Sequence, residues 1–443
     1  MKRIFFCLSL FAAFLTCATA QEKGETVVSL TTLTGLAERL AAGWPLAGYT
    51  IRYKSSAEAE EGLDRAQAMQ ANVKAKIGPV LPITVMGASN GLFLDFTHSD
   101  NRGVFEYEVT TSEGRVTIDG GGCWAMQYAA DAVVSYISKR DLPLKYYLKG
   151  TVEGKTLFPR PEGVNLRILD DNIWSNSSEK VPDAWKELNA DPRDDVRAPQ
   201  FAQLVRAYMP DVFTMQEYDR HMDARLMSRL QSLGFVSATP SQTQWNYTPI
   251  LYRTVALELL KADYLLYTPE TWSNGNTKSF TSAVFKHKAT GKIFAVITTH
   301  LWWKSESAQA GSTAARAAQV KSLMEAAEAI KAEYDCPIFV TGDMNCYEST
   351  EPMQLFLQAG YQPCYKIATV YGNNDNGHHV CSSEGFSRKS NRPSPYRELG
   401  AIDHCLLYNG KDAVEVKVFD CIQAYFTIKL TDHYPNLIDA ELK

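Results

Sequence analysis

The sequence predicts an α/β fold (α+β), a sandwich with strands in the middle and helices outside, preceded by a smaller α/β domain. Over residues 164–443, apolar runs of strand length alternate with segments whose apolar residues recur at helical spacing. The chain has 443 residues, of which 45% are hydrophobic, so two domains can each bury a full core. Between them, prolines among polar residues predict a connection. The predicted organisation is a domain over residues 21–150, a linker over 151–163 and a second domain over 164–443.

The first twenty residues predict an export signal. Lys2-Arg3 precedes an apolar run over residues 4–15, and Ala18-Thr19-Ala20 provides the small residues of a cleavage site. The protein is therefore expected to be exported, either periplasmic or secreted. Lipidation at Cys17 is the alternative, but the three residues before it make a poor lipobox. No later apolar run has the length that a transmembrane helix needs.

The first domain is predicted to mix strands and helices. Strands are expected over residues 49–53, 92–96, 104–109 and 115–118, and helices over residues 32–42, 57–77 and 125–137. Three glycines, Gly120-Gly121-Gly122, lack the spacing of a phosphate-binding loop, and tight strand-to-helix packing is their expected use. This order of elements resembles the small α/β domain that precedes the catalytic domain of several bacterial glycoside hydrolases. The resemblance implies a carbohydrate association through this domain.

The second domain is predicted to alternate strands with helices at first and to end in strands. Strands are expected over residues 166–169, 212–215, 250–252, 294–299, 338–340, 402–408, 414–419 and 436–442. Helices are expected over residues 198–208, 220–233 and 308–332. The run at 338–340 is predicted to be a buried central strand, and the apolar and β-branched stretch that contains it stops at Gly342.

The cysteines fit an exported chain with at least one free thiol. Nine cysteines, two of them in the predicted export signal, leave an odd number for the rest of the chain. Cys364 and Cys381 bracket a loop and are the expected disulfide pair. Cys336, Cys405 and Cys421 lie in or beside strand-like runs, so we expect them to be buried thiols.

Polar residues follow or begin most of the apolar strands of the second domain. Asp343 and Asn345 come directly after the central strand, where a carboxylate can hold a metal or polarise a water and an amide can donate to an anionic oxygen. An Asx-turn that closes the strand explains this pair equally well. The other strand-end residues are Asn172, Gln216-Glu217, His300, Asp403-His404 and Asp432-His433. Because α/β proteins assemble their sites at strand ends, this recurrence predicts a functional site.

These residues occur in motifs that resemble the endonuclease/exonuclease/phosphatase superfamily over nearly all of residues 164–443. The motifs are Leu-Asp-Asp-Asn172-Ile, Gln216-Glu217, Thr299-His300-Leu301, Gly342-Asp343-Met344-Asn345, Ile402-Asp403-His404 and Thr431-Asp432-His433-Tyr434-Pro435. Arg316 and Gln319 fit the family's Arg-x-x-Gln in the helix before the central strand. The resemblance implies a four-layer α/β sandwich of two central sheets flanked by helices.

The resemblance also implies an activity, divalent-metal-dependent hydrolysis of phosphate esters, with a role for each motif. Glu217 is the implied principal ligand of Mg²⁺, or alternatively Mn²⁺, with Asn172 and Asp432 completing the metal site. Asp343 is the implied group that orients or deprotonates the attacking water. The implied phosphate contacts are Asn345, His300 and His433, the last of these held by Asp403.

The chain departs from the family pattern around the expected site. Trp302-Trp303 follow His300 where an acidic or polar residue is common. This pair either binds a base, a sugar or a lipid headgroup, or covers the core. Ala401 replaces an arginine that often precedes the Ile402 strand. The loop over residues 364–400 is rich in Arg, Lys and His, and it either binds part of a substrate or is a solvated surface loop.

The composition narrows the expected substrate without identifying it. A net charge of −5 argues against non-specific binding of duplex DNA. A phosphodiester is expected rather than a monoester, and the substrate is a nucleic acid, a phospholipid headgroup, or a sugar or inositol phosphate. The alternative function is a catalytically inactive protein that uses the same fold to bind a glycan or a partner. No residue of the implied catalytic set is missing, which favours an enzyme.

Overall fold

The structure is a computed structural model, and it describes most of the chain from residue 157 onward. The described residues there are 157–175, 192–239, 245–267, 278–371, 401–422 and 430–443. In the first part, it describes the elements given below and a few neighbouring residues, so the predicted export signal, the helix predicted at 32–42 and most of loop 364–400 lie outside the described residues. The chain divides into two compact units, Met1–Glu153 and Gly154–Lys443.

The first unit contains a mixed sheet and a helix. Its elements are β1 (Glu25–Val27), β2 (Tyr49–Tyr53), β3 (Ile83–Val85), β4 (Leu92–His98), β5 (Glu106–Ser112), β6 (Arg115–Gly120), helix α1 (Cys123–Ile137) and β7 (Tyr146–Thr151). The strands are ordered β1-β7-β5-β6-β4-β2-β3. Arg52 of β2 and Asp95 of β4 form a buried two-point ion pair, with both N–O distances at 2.7 Å. Because both charges are buried and paired, this pair fixes how β2 and β4 align.

The second unit contains two sheets with helices outside. Its first elements are β8 (Leu166–Asn172), α2 (Asp194–Tyr208), β9 (Val212–Gln216), α3 (Arg220–Ser232), β10 (Phe235–Ser237), β11 (Ile250–Arg253), β12 (Leu257–Leu266), β13 (Ser279–His287) and β14 (Ile293–His300). Its later elements are α4 (Ser312–Tyr334), β15 (Ile338–Asp343), α5 (Glu351–Gln358), β16 (Gln362–Pro363), α6 (Cys364–Ile367), β17 (Val370–Tyr371), β18 (Asp403–Tyr408), β19 (Val414–Cys421) and β20 (Asn436–Leu442).

The two sheets face each other across an apolar core. One has the order β10-β11-β9-β8-β20-β19-β17 and the other the order β12-β13-β14-β15-β18-β16. Side chains from both sheets, including Ile168, Phe285, Phe339 and Phe419, form one buried cluster between them. Helices α4 and α5 cover the outer face of the second sheet. The result is the predicted four-layer α/β sandwich.

The last strand of the second unit pairs with the first strand of that unit, in the middle of the first sheet. Strand β20 lies antiparallel to β8, with Ile438 opposite Ile168. Beside this pair, Arg167 and Asp439, which are 272 residues apart, form a buried ion pair with Nε–Oδ1 and Nη2–Oδ2 distances of 2.6 and 2.7 Å. This pair locks the register between strands from opposite ends of the unit.

Most predicted elements of the second unit are confirmed, with shifted ends. Strand β20 has the predicted bounds, whereas β8 continues through Asn172 and β15 continues through Asp343, so both site residues belong to the strands. Strands β12 and β13 and helix α5 were not predicted. Residues 157–158, placed by the sequence in the linker, donate backbone hydrogen bonds of 3.0 and 2.9 Å to the carbonyl of Ala207.

The cysteines described in the second unit are buried thiols. Cys336, Cys405 and Cys421 are buried as predicted, and Cys364 is a free thiol in the core between the sheets. The predicted disulfide from Cys364 to Cys381 is therefore not formed, although Cys381 itself lies outside the described residues. Among the helices of the described part, none combines the length and apolar character needed to cross a membrane.

Candidate active site

Strand pairing brings the polar strand ends to one edge of the sandwich. In the first sheet, Asn172 of β8 lies opposite Gln216 of β9, directly before Glu217. In the second sheet, His300 pairs with Asp343 and Asp343 pairs with Asp403 at the ends of β14, β15 and β18. Because both groups lie at the same end of facing sheets, their side chains meet between the sheets.

The two sheets are joined at this edge by the side chain of Asn172. Its Nδ2 donates to Asp343 Oδ2 at 3.0 Å and lies 3.3 Å from Glu217 Oε1. Its Oδ1 accepts from the backbone N–H of Trp174 at 3.1 Å, which fixes the orientation of the amide. Asn172 therefore sets the distance between two carboxylates that otherwise repel each other.

Asp343 lies at the centre of the site. Its Oδ2 is 3.3 Å from His300 Nε2 and 3.9 Å from His433 Nε2, so the two histidines flank one carboxylate oxygen. Burial alone raises the pKa of Asp343, but the hydrogen bond and charges from His300, together with His433 and Lys278, hold its pKa well below its usual range. Asp343 is therefore ionised throughout the physiological pH range.

Asp403 orients His433. The Nδ1 of His433 lies 3.0 and 2.9 Å from the two carboxylate oxygens of Asp403, and both residues are buried. Burial alone lowers the pKa of His433, but the charges of Asp403, Asp432 and Asp343 raise it well above its ordinary value. The imidazole is therefore protonated at neutral pH, and its Nε2 lies on the side of Asp343.

Glu217 is the most accessible acid of the cluster. Its side chain is 29% exposed, compared with 3% for Asp343. Its backbone adopts a left-handed conformation with φ 58°, and the N–H of Ser175 donates to its Oε2 at 3.0 Å. Burial raises its pKa, yet the neighbouring charges of His300 and Lys278 give a net lowering. The carboxylate is thus ionised and can be reached by an ion from solvent.

Asn345 is only partly available to a substrate. Its backbone N–H donates to Asp343 Oδ1 at 2.9 Å, which is the Asx-turn considered from the sequence, and its φ is 50°. Its side-chain Nδ2 donates to the carbonyl of Leu301 at 3.1 Å. An amide nitrogen has two N–H donors, so one remains beyond this bond. The Asx-turn is therefore compatible with a contact from the Asn345 amide to a substrate.

A glycine allows β14 and β15 to approach closely under the site. Gly342 has φ 132°, and a Cβ built on it lies 2.1 Å from the carbonyl oxygen of Thr299. No side chain fits there without moving the backbone of β14. Gly342 therefore fixes the spacing between His300 and Asp343, which directly follow these two residues.

The donor set of the cluster fits a hard divalent cation. Glu217 and Asp343 present carboxylate oxygens, which Mg²⁺ and Mn²⁺ prefer, and Asn172 Oδ1 keeps one lone pair beyond the bond that it accepts from Trp174. Asp432 lies at the same edge, with Oδ1 3.9 Å from His433 Nε2. Ligand atoms of Asp343, Asp403 and His433 also lie within 4.8 Å of one another. Asp403 and His433 also bond each other, so these two side chains are partly committed within that group.

Two buried cations near the site, Lys278 and Arg197, were not predicted from the sequence, and Gln216 was predicted there without a role. Lys278, buried and only 3% exposed, brings its Nζ to 2.5 Å from His300 Nε2. Arg197 is fully buried in α2 and donates to the carbonyls of Ile173 at 2.8 Å and Leu430 at 2.7 Å, beside both metal-side motifs. Gln216 donates to Asp170 Oδ1 and to Thr298 Oγ1 at 2.9 Å each, joining the sheets beneath the site.

The helix motif Arg316-x-x-Gln319 supports the segment after His300. Gln319 Oε1 accepts from the N–H of Trp302 at 2.8 Å, and Arg316 Nη1 donates to the carbonyls of Trp302 at 3.1 Å and Lys304 at 2.7 Å. Trp302 is 5% exposed and therefore covers the core, whereas Trp303 is 52% exposed. The core-covering alternative therefore holds for Trp302, and binding of a base, a sugar or a lipid headgroup stays a prediction for Trp303.

Fold and site together define a class of protein in which facing sheets bring Asn, Glu, His and Asp side chains to one edge. The sequence model of the endonuclease/exonuclease/phosphatase family matches residues 172–433, which is more than half of the chain. The chain belongs to this family. The match covers every residue of the site, from Asn172 to His433.

Solved structures with a similar fold come from bacteria and animals. An endonuclease/exonuclease/phosphatase from Bacteroides vulgatus is 22% identical, with a TM-score of 0.47 over 63% of this chain and 99% of the other. A mannosyl-6-phosphatase from Bacteroides thetaiotaomicron is 18% identical, with a TM-score of 0.47 over 62% and 99%. TDP2 from D. rerio with a single-strand DNA product is 17% identical, with a TM-score of 0.44 over 62% and 98%. No protein of curated function matches the sequence.

Proposed function

We propose that this protein is an exported, divalent-metal-dependent phosphoesterase that hydrolyses a phosphate ester by attack of water. The observation that carries the proposal is the convergence of Asn172, Glu217, His300, Asp343 and His433 at one edge of the sandwich, with Asp343 Oδ2 at the centre. A family of phosphoester hydrolases supplies the class of reaction. Export rests on the sequence of the first twenty residues alone.

Each side chain has a role that its surroundings support. Glu217 and Asn172, with Asp432, would hold Mg²⁺, or alternatively Mn²⁺. When bound, such a cation neutralises charge on the phosphoryl oxygens and on the leaving oxygen. Asp343 is ionised and accepts a hydrogen bond from the attacking water, which it thereby orients. The imidazolium of His433, held by Asp403, and the amide of Asn345 stabilise negative charge on the phosphoryl group.

The charge of the site supports a phosphodiester rather than a monoester. Among the described residues, four carboxyl groups, those of Glu217, Asp343, Asp403 and Asp432, lie at this edge, and Lys278 and His433 are the neighbouring cations. A monoester dianion brings one more negative charge into this field than a diester monoanion does. The candidate substrates are a nucleic acid, a phospholipid headgroup, or a sugar or inositol phosphate diester.

Hydrolysis of bis-p-nitrophenyl phosphate by metal-stripped protein, measured with and without added Mg²⁺ or Mn²⁺, tests the proposal. We expect turnover that needs the metal, stops with EDTA and falls at least about 1,000-fold in Asp343→Asn. Asp412→Asn is the matched control, because Asp412 is exposed in the turn before β19, at the opposite end of β18 from Asp403. A panel of single-stranded and duplex DNA, RNA, sphingomyelin and inositol phosphates then identifies the ester. Absence of turnover on every mono- and diester contradicts the proposal and favours a binding protein.

A further inference from the structure

Lys278 is a buried cation in a part of the site to which the family motifs assign no residue. It directly precedes β13, and its neighbour Ser279 pairs with His300 of β14. Its side chain is almost completely buried, with 3% of the residue exposed. Lysine is among the residues least often buried without an ion pair, so its position here needs an explanation.

Among the described residues, the ammonium of Lys278 has one close partner, His300, which carries no negative charge. Its Nζ lies 2.5 Å from His300 Nε2, and no carboxylate oxygen of the described residues lies within the 4.0 Å of a salt bridge. An ammonium has three N–H donors, so two remain beyond the bond to His300. A buried charge that lacks an ion pair is unfavourable, and an anionic ligand with several oxygens would relieve that cost.

The contact also determines what His300 can do. Its Nε2 has two close polar neighbours, Lys278 Nζ at 2.5 Å and Asp343 Oδ2 at 3.3 Å. A ring nitrogen of histidine makes one hydrogen bond in the plane of the ring, so these two groups already compete for Nε2. Nε2 is therefore not available to donate to a substrate oxygen. The donor role expected for His300 from the family resemblance then belongs to the lysine beside it.

We infer that Lys278 is a catalytic residue that binds a phosphoryl oxygen of the substrate, with His300 acting as the positioning residue that holds its ammonium. This inference rests on the proposed function, and it names the group beside His300 that contacts the phosphate. The competing explanation is that Lys278 only offsets the negative charges of Glu217 and Asp343, which lie near enough to raise its pKa while burial lowers it to about 8.

Binding of inorganic phosphate to the Mg²⁺-loaded protein, measured by calorimetry, separates the two explanations without requiring turnover. For Lys278→Met we expect phosphate to bind about 10- to 100-fold more weakly, because a charge-assisted contact is lost. Lys278→Arg keeps the charge and should bind phosphate within about 5-fold of the original protein. Lys286→Met is the matched control, since Lys286 is exposed on the same strand, about 26 Å further along it.

The outcomes distinguish this inference from the proposed function. Unchanged phosphate affinity in Lys278→Met, together with tighter Mg²⁺ binding, shows a countercharge for Glu217 and Asp343 and overturns the inference. Lys278→Gln replaces the Met variant if circular dichroism shows that the latter does not fold. Phosphate binding that depends on Lys278, without hydrolysis of any ester by the original protein, supports the contact and contradicts the phosphoesterase. Hydrolysis that is unaffected by Lys278→Met contradicts the contact and leaves the phosphoesterase standing.

Discussion

Asn172 Nδ2 donates to Asp343 Oδ2 at 3.0 Å, although the two residues end strands of different sheets. Because this bond joins the two sheets, the spacing between the sheets sets the geometry of the site. The first sheet and its loops supply Asn172, Glu217 and His433, and the second sheet supplies His300 and Asp343. The arrangement of the site residues therefore depends on how the two sheets pack against each other.

Replacing Asn172 should weaken both metal binding and turnover. For Asn172→Ala we expect kcat/KM to fall about 100-fold, with a higher Mg²⁺ concentration needed for half-maximal rate. Asn172→Asp places a third carboxylate against Glu217 and Asp343, so Mg²⁺ should raise its melting temperature more than that of the original protein. Metal titrations of rate and of thermal unfolding measure both effects. Equal Mg²⁺ dependence in all three proteins contradicts a ligand role for Asn172.

Asp403 should set the alkaline limit of activity through His433. A raised pKa means that the imidazolium is present below that pKa and is lost as the pH rises through it. Asp403→Asn removes the carboxylate at 2.9 Å from Nδ1, so the pKa of His433 falls and the alkaline limb of kcat/KM should move at least about 1 pH unit lower. Asp412→Asn should leave the profile unchanged. An alkaline limb that does not move in Asp403→Asn shows that the imidazolium is not required.

Gly342→Ala should destabilise the protein by several kcal/mol. A Cβ at this position meets the carbonyl oxygen of Thr299 at 2.1 Å, and that oxygen belongs to backbone that cannot rotate away. Gly360→Ala is the matched control, since Gly360 also has a positive φ, at 89°, but has nothing within 4 Å of an added Cβ. It should lose only about 1 kcal/mol. Urea unfolding measures both, and equal losses would show that backbone conformation, not the close approach, decides the effect.

Arg197→Met should cost about 3 to 5 kcal/mol, because four hydrogen bonds of a fully buried guanidinium are lost together. Those bonds go to the carbonyls of Ile173, Trp174 and Leu430 and to Asp194, at 2.7 to 2.9 Å. The exposed Arg229→Met on α3 should change stability by less than about 0.5 kcal/mol. Denaturant unfolding provides the comparison. A loss below about 1 kcal/mol in Arg197→Met would show that these loops are held by other contacts.

Asp420 should make the protein less stable as the pH rises. Burial and the charge of Asp439 raise the pKa of Asp420 to about 7, and its Oδ1 has no hydrogen-bond partner among the described residues. A carboxyl with a raised folded pKa favours folding most at low pH, and this contribution is lost between about pH 4 and pH 7. Asp420→Asn removes the titration, so its advantage in unfolding free energy should be about 1 to 3 kcal/mol larger at pH 8 than at pH 5. An advantage that does not depend on pH contradicts this assignment.

The parts of the site that the sequence predicted are those with a local pattern. Asn172, Asp343 and Asp403 lie at the ends of short apolar runs, and such a run at a strand end is visible in one stretch of chain. Strand β12 was missed because it lies half exposed and alternates charged with apolar residues, interrupted by a bulge between Leu259 and Lys261. The bulge shifts the alternation by one residue, so neither half of the segment is long enough to be recognised as a strand.

The missed cations have no local pattern at all. Arg197 directly precedes the helix predicted over residues 198–208, among charged and polar residues that suggest exposure, although it is fully buried. Lys278 stands beside polar residues and suggests a loop, yet it is inserted next to His300. The burial of both residues follows only from how distant segments pack, so tertiary structure alone identifies them.

The pairing of β8 with β20 determines the stage of synthesis and folding at which the site is complete. A growing chain that has been made only as far as residue 430 already contains Asn172, Glu217, His300, Asp343 and Asp403, but its first sheet still lacks β20 and its site still lacks His433. Turnover is therefore expected only after β20 has paired with β8, which brings together Arg167 and Asp439 across 272 residues of chain. The appearance of enzymatic activity would thus report the pairing of β20 with β8. It would follow the spectroscopic signals that report helix and sheet content.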